Sequence, residues 1–337
     1  MSALGPLIVG FEGLELGSEA RETLLHPHVG GVILFARNFE SPEQLQQLCQ
    51  EIKALRSPEL LITVDQEGGR VQRFKTGFSP LPPLGLLGRW YESHPDRALD
   101  LAYRHGRVMA AEVLAHGVDF SWAPVLDLAG ISEVIGDRAM AAEPEAVVAL
   151  GRYYIAGLRD AGMVATGKHY PGHGSVRADT HLETVVDPRP WAELSQDELP
   201  FRELADELSL VMMAHVIYPA VCDQPAGFSK RWIGERLRQE IGFKGLVVSD
   251  DLDMVGAHGV GSLPKRLEMA FEAGCDLVLV CQPDSVAKVL DGDWPTPDPN
   301  AMASLSGRAM LSLDEQLQVS EFRFWRQSLA QLAQENV

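Results

Sequence analysis

Short apolar runs that do not alternate with polar residues recur along the chain. They stand at Leu7–Gly10, Gly31–Phe35, Leu60–Val64, Val118–Trp122, Met163–Thr166, Ser209–Ala214, Gly245–Val248 and Asp276–Val280. A half-buried strand alternates polar and apolar positions; a run without alternation reads as a strand covered on both faces. Most of the runs are separated by stretches with helical spacing. Ser18 to Leu25 has room for a short helix, and Ser41-Pro42-Glu43-Gln44 opens a clearer one. There Ser41 is a cap, Pro42 suits the first turn and Gln44 completes a capping box, with Leu45, Leu48, Cys49 and Ile52 on one face. Further helices are expected over about 96–116, 144–160, 200–207 (Pro200 in its first turn), 233–241 and 263–271, with a helical tail from Asp314.

Eight strand–helix units in about 285 residues predict an α/β fold, a (β/α)8 barrel. An open doubly wound sheet is the alternative, but no GxGxxG follows the first strand. No low-complexity linker or composition break divides the chain, so residues 1–337 read as one catalytic domain, with the barrel over about 5–290 and the tail over about 300–337. The 337 residues, 46% of them hydrophobic, suffice for a large core.

Charge narrows the choice of partners. Forty-seven acidic residues against 29 basic ones give a formal net charge of −18. Such a surface repels nucleic acid and anionic membranes. The N-terminus lacks a basic segment, and no apolar run is long enough to span a bilayer. Cys49, Cys222, Cys275 and Cys281 show no CxxC spacing and fit free thiols in a reducing compartment. A soluble, cytoplasmic protein is expected.

Polar chemistry gathers where the strands end. The stretch from Lys168 to His181 brings three histidines, a lysine, an arginine and an aspartate to a region broken by Pro171, Gly172 and Gly174, and so predicts a loop. Asp65, Asp127, Lys168 with His169, His215 and Asp250 all follow apolar runs, and in an eight-fold barrel those ends form the active-site mouth. One of them alone is an ordinary turn former; Lys and His are not favoured in turns, which singles out the set. If Asp250 faces the mouth, alternation turns the neighbouring Asp251 outward as a cap of the next segment. Asp179 and His181 stand at a spacing that lets a carboxylate orient an imidazole for proton transfer.

These segments resemble the family 3 glycoside hydrolases, most closely their bacterial β-N-acetylhexosaminidases of peptidoglycan recycling. The resemblance rests on Lys168-His169-Tyr170-Pro171-Gly172-His173-Gly174 with Asp179 and His181, on Val64–Phe74, on Val134–Ala139 and on Val248–Leu252, in the expected order over about residues 5–285. It implies a retaining enzyme with Asp250 as nucleophile and His181, held by Asp179, as acid/base. It further implies that Asp65, Arg73, Arg138, Lys168 and His169 hold a terminal N-acetylglucosamine. The implied substrate is a muropeptide, with no metal or cofactor, handled by a cytoplasmic monomer. Two rival readings are a zinc hydrolase using His169, His173, Asp179, His181 and Asp250, and a sugar-binding barrel without catalysis.

Overall fold

The apolar runs become strands because each is covered by helices outside and by side chains inside. In the computed structural model, which describes residues 3–177 and 184–335, eight of them form one sheet: β1 (Leu7–Val9), β2 (Val29–Leu34), β3 (Leu61–Val64), β4 (Phe120–Ser121), β5 (Thr166–Tyr170), β6 (Leu210–Met213), β7 (Leu246–Asp251) and β8 (Leu277–Val280). Every residue of β1, β2 and β3 is buried, which explains the missing alternation. Each fully buried Leu, Ile or Val there contributes roughly 1.5–3 kcal/mol.

The order in the sheet is β4-β3-β2-β1-β8-β7-β6-β5, with all neighbours parallel. The two end strands meet as well. Val125 bridges Lys168 in parallel, and Leu126 N donates to Lys168 O at 2.7 Å. The ring therefore closes between β4 and β5 as a (β/α)8 barrel.

Most helices stand near their expected positions. Ser41 caps α1 (Pro42–Lys53), accepting from Gln44 N at 3.2 Å, and Leu45, Leu48, Cys49 and Ile52 are its buried face. Gln44, however, accepts from Glu40 N at 3.0 Å, one residue before the cap, so no reciprocal box forms. The helix expected over 200–207 is instead α2 (Trp191–Glu203), and Pro200 lies in its last turn. Glu193 places an acid in the first turn, a favourable signal at that end.

The fifth strand also departs from expectation. It runs over Thr166–Tyr170, so Lys168 and His169 belong to the barrel wall and not to a loop. Hairpin Gln66–Gly68/Val71–Gln72 is an addition above β3. Its turn requires Gly68: φ is +107°, and a Cβ there would lie 2.6 Å from Pro82 O.

The tail packs back on the barrel. Arg326, on α3 (Ser320–Glu335), places Nε 2.6 Å from Oε1 of buried Glu112, which also accepts from Ser79 Oγ and N. Arg326→Ala leaves Glu112 short of its counter-charge. We expect a loss of about 1–3 kcal/mol in denaturant titration with wild-type kcat. An unchanged midpoint would show that Ser79 alone satisfies Glu112.

Among the described residues no helix is long and apolar enough to cross a membrane. None of the four cysteines is bridged, and burial drives the Cys49 thiol pKa up to about 12.

Candidate active site

The C-terminal ends of β2, β3, β5, β6, β7 and β8 surround a cavity of about 670 Å³. Asp65, Arg73, Arg138, Lys168, His169 and Asp250 all line it. They come from segments up to 185 positions apart (65 to 250), brought together by the closed ring. Arg177 lines the same cavity. Asp179 and His181 lie outside the described residues.

A buried ion cluster forms one wall. Lys168 Nζ lies 2.7 Å from Asp65 Oδ1 and 2.6 Å from Glu67 Oε1. Arg138 donates to Glu67 through Nε at 2.8 Å and Nη2 at 2.9 Å, the fork geometry that guanidinium favours. Arg73 Nη2 stands 3.7 Å from Asp65 Oδ2. Burial opposes the charge on Glu67, Arg138 and Lys168, yet the opposite charges prevail. Glu67 is held well below the usual carboxylate range by Arg138 and Lys168, and Lys168 is raised by Asp65 and Glu67.

Glu67 joins the set beyond the residues named from sequence. Its signal was its place two residues after Asp65, since an extended chain puts i and i+2 on one side. Gln66 points away and fastens the hairpin: its Oε1 accepts from Arg73 N at 2.9 Å and Phe74 N at 3.1 Å. The hairpin thereby fixes where Arg73 begins.

On β5 the register to β6 slips between Lys168 and Tyr170. The extra residue is His169, and such a bulge re-aims side chains near a site. His169 Nδ1 donates to Asp127 Oδ2 at 2.7 Å. Asp127, expected only as one strand-end acid among several, is fully buried. Burial works against its ionisation, but His169 and the hydrogen bonds around it bring its pKa below the ordinary value.

The pair on β7 corrects the expected alternation. A register shift between Val248 and Asp251 breaks the pleat, and both Asp250 and Asp251 reach the cavity wall. Asp251 does cap the next turn, since its Oδ1 accepts from Asp253 N and from Cys281 N, each at 3.1 Å. Burial, with Asp253 and Asp250 nearby, pushes its carboxyl up to about 7. Asp250 Oδ1 accepts from Asp251 N at 2.8 Å. His215, at the end of β6, does not line the cavity; its Nε2 donates to Asp251 O at 3.1 Å beneath it. Burial lowers its pKa, which keeps the ring neutral.

Among the described residues no three His, Cys, Asp or Glu side chains are grouped to hold a metal ion. The zinc set read from the sequence included Asp179 and His181, which lie outside those residues.

A family model described as the glycosyl hydrolase family 3 N terminal domain matches residues 7–293. A beta-hexosaminidase of Alkalilimnicola ehrlichii is 57% identical over 300 residues, covering 88% of this chain and 86% of that one. A beta-hexosaminidase of Thiobacillus denitrificans is 51% identical over 311 residues, with 90% and 87% covered. The crystal structure of NagZ from Neisseria gonorrhoeae in complex with N-trifluoroacetyl-D-glucosamine superposes with a TM-score of 0.92 at 43% identity and 98% coverage of both chains.

Proposed function

We infer the chemistry from one premise: the chain belongs to glycosyl hydrolase family 3, and it is a beta-hexosaminidase. We propose that it is a retaining exo-β-N-acetylglucosaminidase. Its substrate is a muropeptide, N-acetylglucosamine β-1,4-linked to 1,6-anhydro-N-acetylmuramic acid, with or without peptide. On this reading residues 1–337 act as one catalytic domain, as a cytoplasmic monomer serving peptidoglycan recycling.

The observation that carries the reading is that Asp250 shares one cavity with a cluster of charged donors and acceptors suited to sugar hydroxyls. The ligand in the similar Neisseria structure is an N-acylated glucosamine, which agrees with that cavity. Asp250 attacks the anomeric carbon while His181, oriented by Asp179, donates a proton to the leaving oxygen. The glycosyl-aspartate then meets a water that gives its proton to His181, and the sugar leaves with its configuration retained. An imidazole is cationic as the acid and neutral as the base, so neither form repels the carboxylate nucleophile as a second carboxylate would. Asp65, Arg73, Arg138, Lys168 and His169 hold the ring, and Arg177 meets acidic parts of the leaving group.

Trapping with a 2- or 5-fluoro sugar and mapping the labelled peptide tests the assignment. Label on Asp250 is expected; label on Asp251 or on no residue would refute it. His181→Ala should slow substrates with poor leaving groups far more than activated aryl glycosides, by roughly 10²-fold or more. Equal losses on both would argue against a proton donor.

A further inference from the structure

The cavity wall holds a carboxylate–imidazole pair distinct from Asp179 and His181. Asp127 is fully buried, and its two oxygens divide their work. Oδ1 accepts from His169 N at 3.1 Å and His173 N at 2.8 Å, while Oδ2 takes the ring Nδ1 of His169 at 2.7 Å. All three donors belong to the segment that ends β5. An ionised carboxylate accepts only, so the ring proton facing it must sit on Nδ1. A neutral ring then carries an unprotonated Nε2 on its opposite edge, and the ring lines the cavity.

We propose that Asp127 is a positioning residue that fixes His169 in the Nδ1–H tautomer and so makes it a hydrogen-bond acceptor for a hydroxyl of the bound sugar. This rests on the reading of His169 as a sugar ligand. The chemistry suits a site whose carboxylates Asp65 and Glu67 are already engaged by Lys168 and Arg138. Lys168, Arg73 and Arg138 donate only, and a hydroxyl that receives from one of them still needs somewhere to place its own proton. Oriented imidazoles commonly take their tautomer from such an outer carboxylate.

Asp127→Asn separates the two jobs. The amide oxygen still accepts the backbone N–H groups of His169 and His173. The amide NH₂ now faces Nδ1, so the ring gives up that proton and presents Nε2–H to the cavity. An acceptor becomes a donor without a change of shape. Two-bond ¹H–¹⁵N spectra of the wild-type enzyme should place the His169 proton on Nδ1, and those of the variant on Nε2. With 4-nitrophenyl β-N-acetylglucosaminide the variant's kcat/KM should fall roughly tenfold or more, with the larger share in KM. Made in a His169→Ala background, the same substitution should cost little further.

An Nε2–H tautomer in the free wild-type enzyme overturns the inference, and this measurement decides it even if Asp127→Asn does not fold. So does an undiminished loss in the His169→Ala background, which would mean that Asp127 acts only through the backbone. If the tautomer stands but N-acetylglucosamine leaves the Nε2 shift unmoved, the sugar contact of His169 fails instead.

Discussion

Asp250→Ala will reduce turnover of an aryl β-N-acetylglucosaminide by roughly 10⁴- to 10⁶-fold, the range seen when the attacking group of a covalent mechanism is removed. KM should change far less, because on the proposed reading other residues of the cavity hold the ring. Melting should stay close to wild type. Asp250 is half-buried at an open cavity, so removing its carboxylate leaves no sealed void. It also removes a negative charge beside Asp251. That carboxyl, raised to about 7 by burial first and by Asp253 and Asp250 in smaller part, should titrate lower in the variant. Initial rates with the aryl glycoside, single-turnover measurements and thermal melts are the checks. Hydrolysis within tenfold of wild type would refute the nucleophile assignment, and a large drop in melting temperature would mean that Asp250 supports the fold.

The barrel was legible in the chain because its strands are buried on both sides. That condition leaves apolar runs which no other common strand environment produces so regularly. The residues that close the ring were not legible, since closure depends on Val125 meeting Lys168, and each stands beyond the apolar run of its strand. The fifth strand was misplaced for a related reason. Lys168 and His169 read as loop residues, but Lys168 is buried against Asp65 and Glu67 and His169 against Asp127. Each partner is a carboxylate on another strand end, and composition cannot tell a neutralised lysine from a solvated one. Asp250, Asp65 and Arg138 were found by motif, and the fold brings them to the same cavity. Glu67 was passed over, and Asp127 was named only as one strand-end acid among several, because their work is directed at other side chains. What a sequence shows best is the group that needs a special type in a special place. A carboxylate whose task is to neutralise or aim a neighbour shows only when that neighbour is known.

Glu67→Gln should therefore do damage out of proportion to its size. Two cations, Lys168 and Arg138, lie against one buried carboxylate. Asp65 alone cannot neutralise both. Breaking a buried ion pair by removing one partner costs about 3–5 kcal/mol, because the remaining charge stays uncompensated. We expect that loss at pH 7, read from denaturant midpoints, together with a raised KM as Lys168 and Arg138 lose their fixed positions. The pH dependence has a definite sign. The folded-state pKa of Glu67 is depressed: burial alone would raise it, but Arg138 and Lys168 overcome burial. The group thus contributes stability fully above its unfolded value of about 4.3. That contribution is lost as pH falls from there toward the folded value, where the native state must take up a proton that the unfolded chain already carries. Wild type should lose stability steeply below about pH 4, and Glu67→Gln less so, so the gap between them narrows at pH 3. Lys168→Met added to Glu67→Gln removes one stranded cation and should cost less than the sum of the single changes. A variant as stable as wild type at pH 7, or a gap that widens in acid, would show that the cluster is held by solvent and not by Glu67.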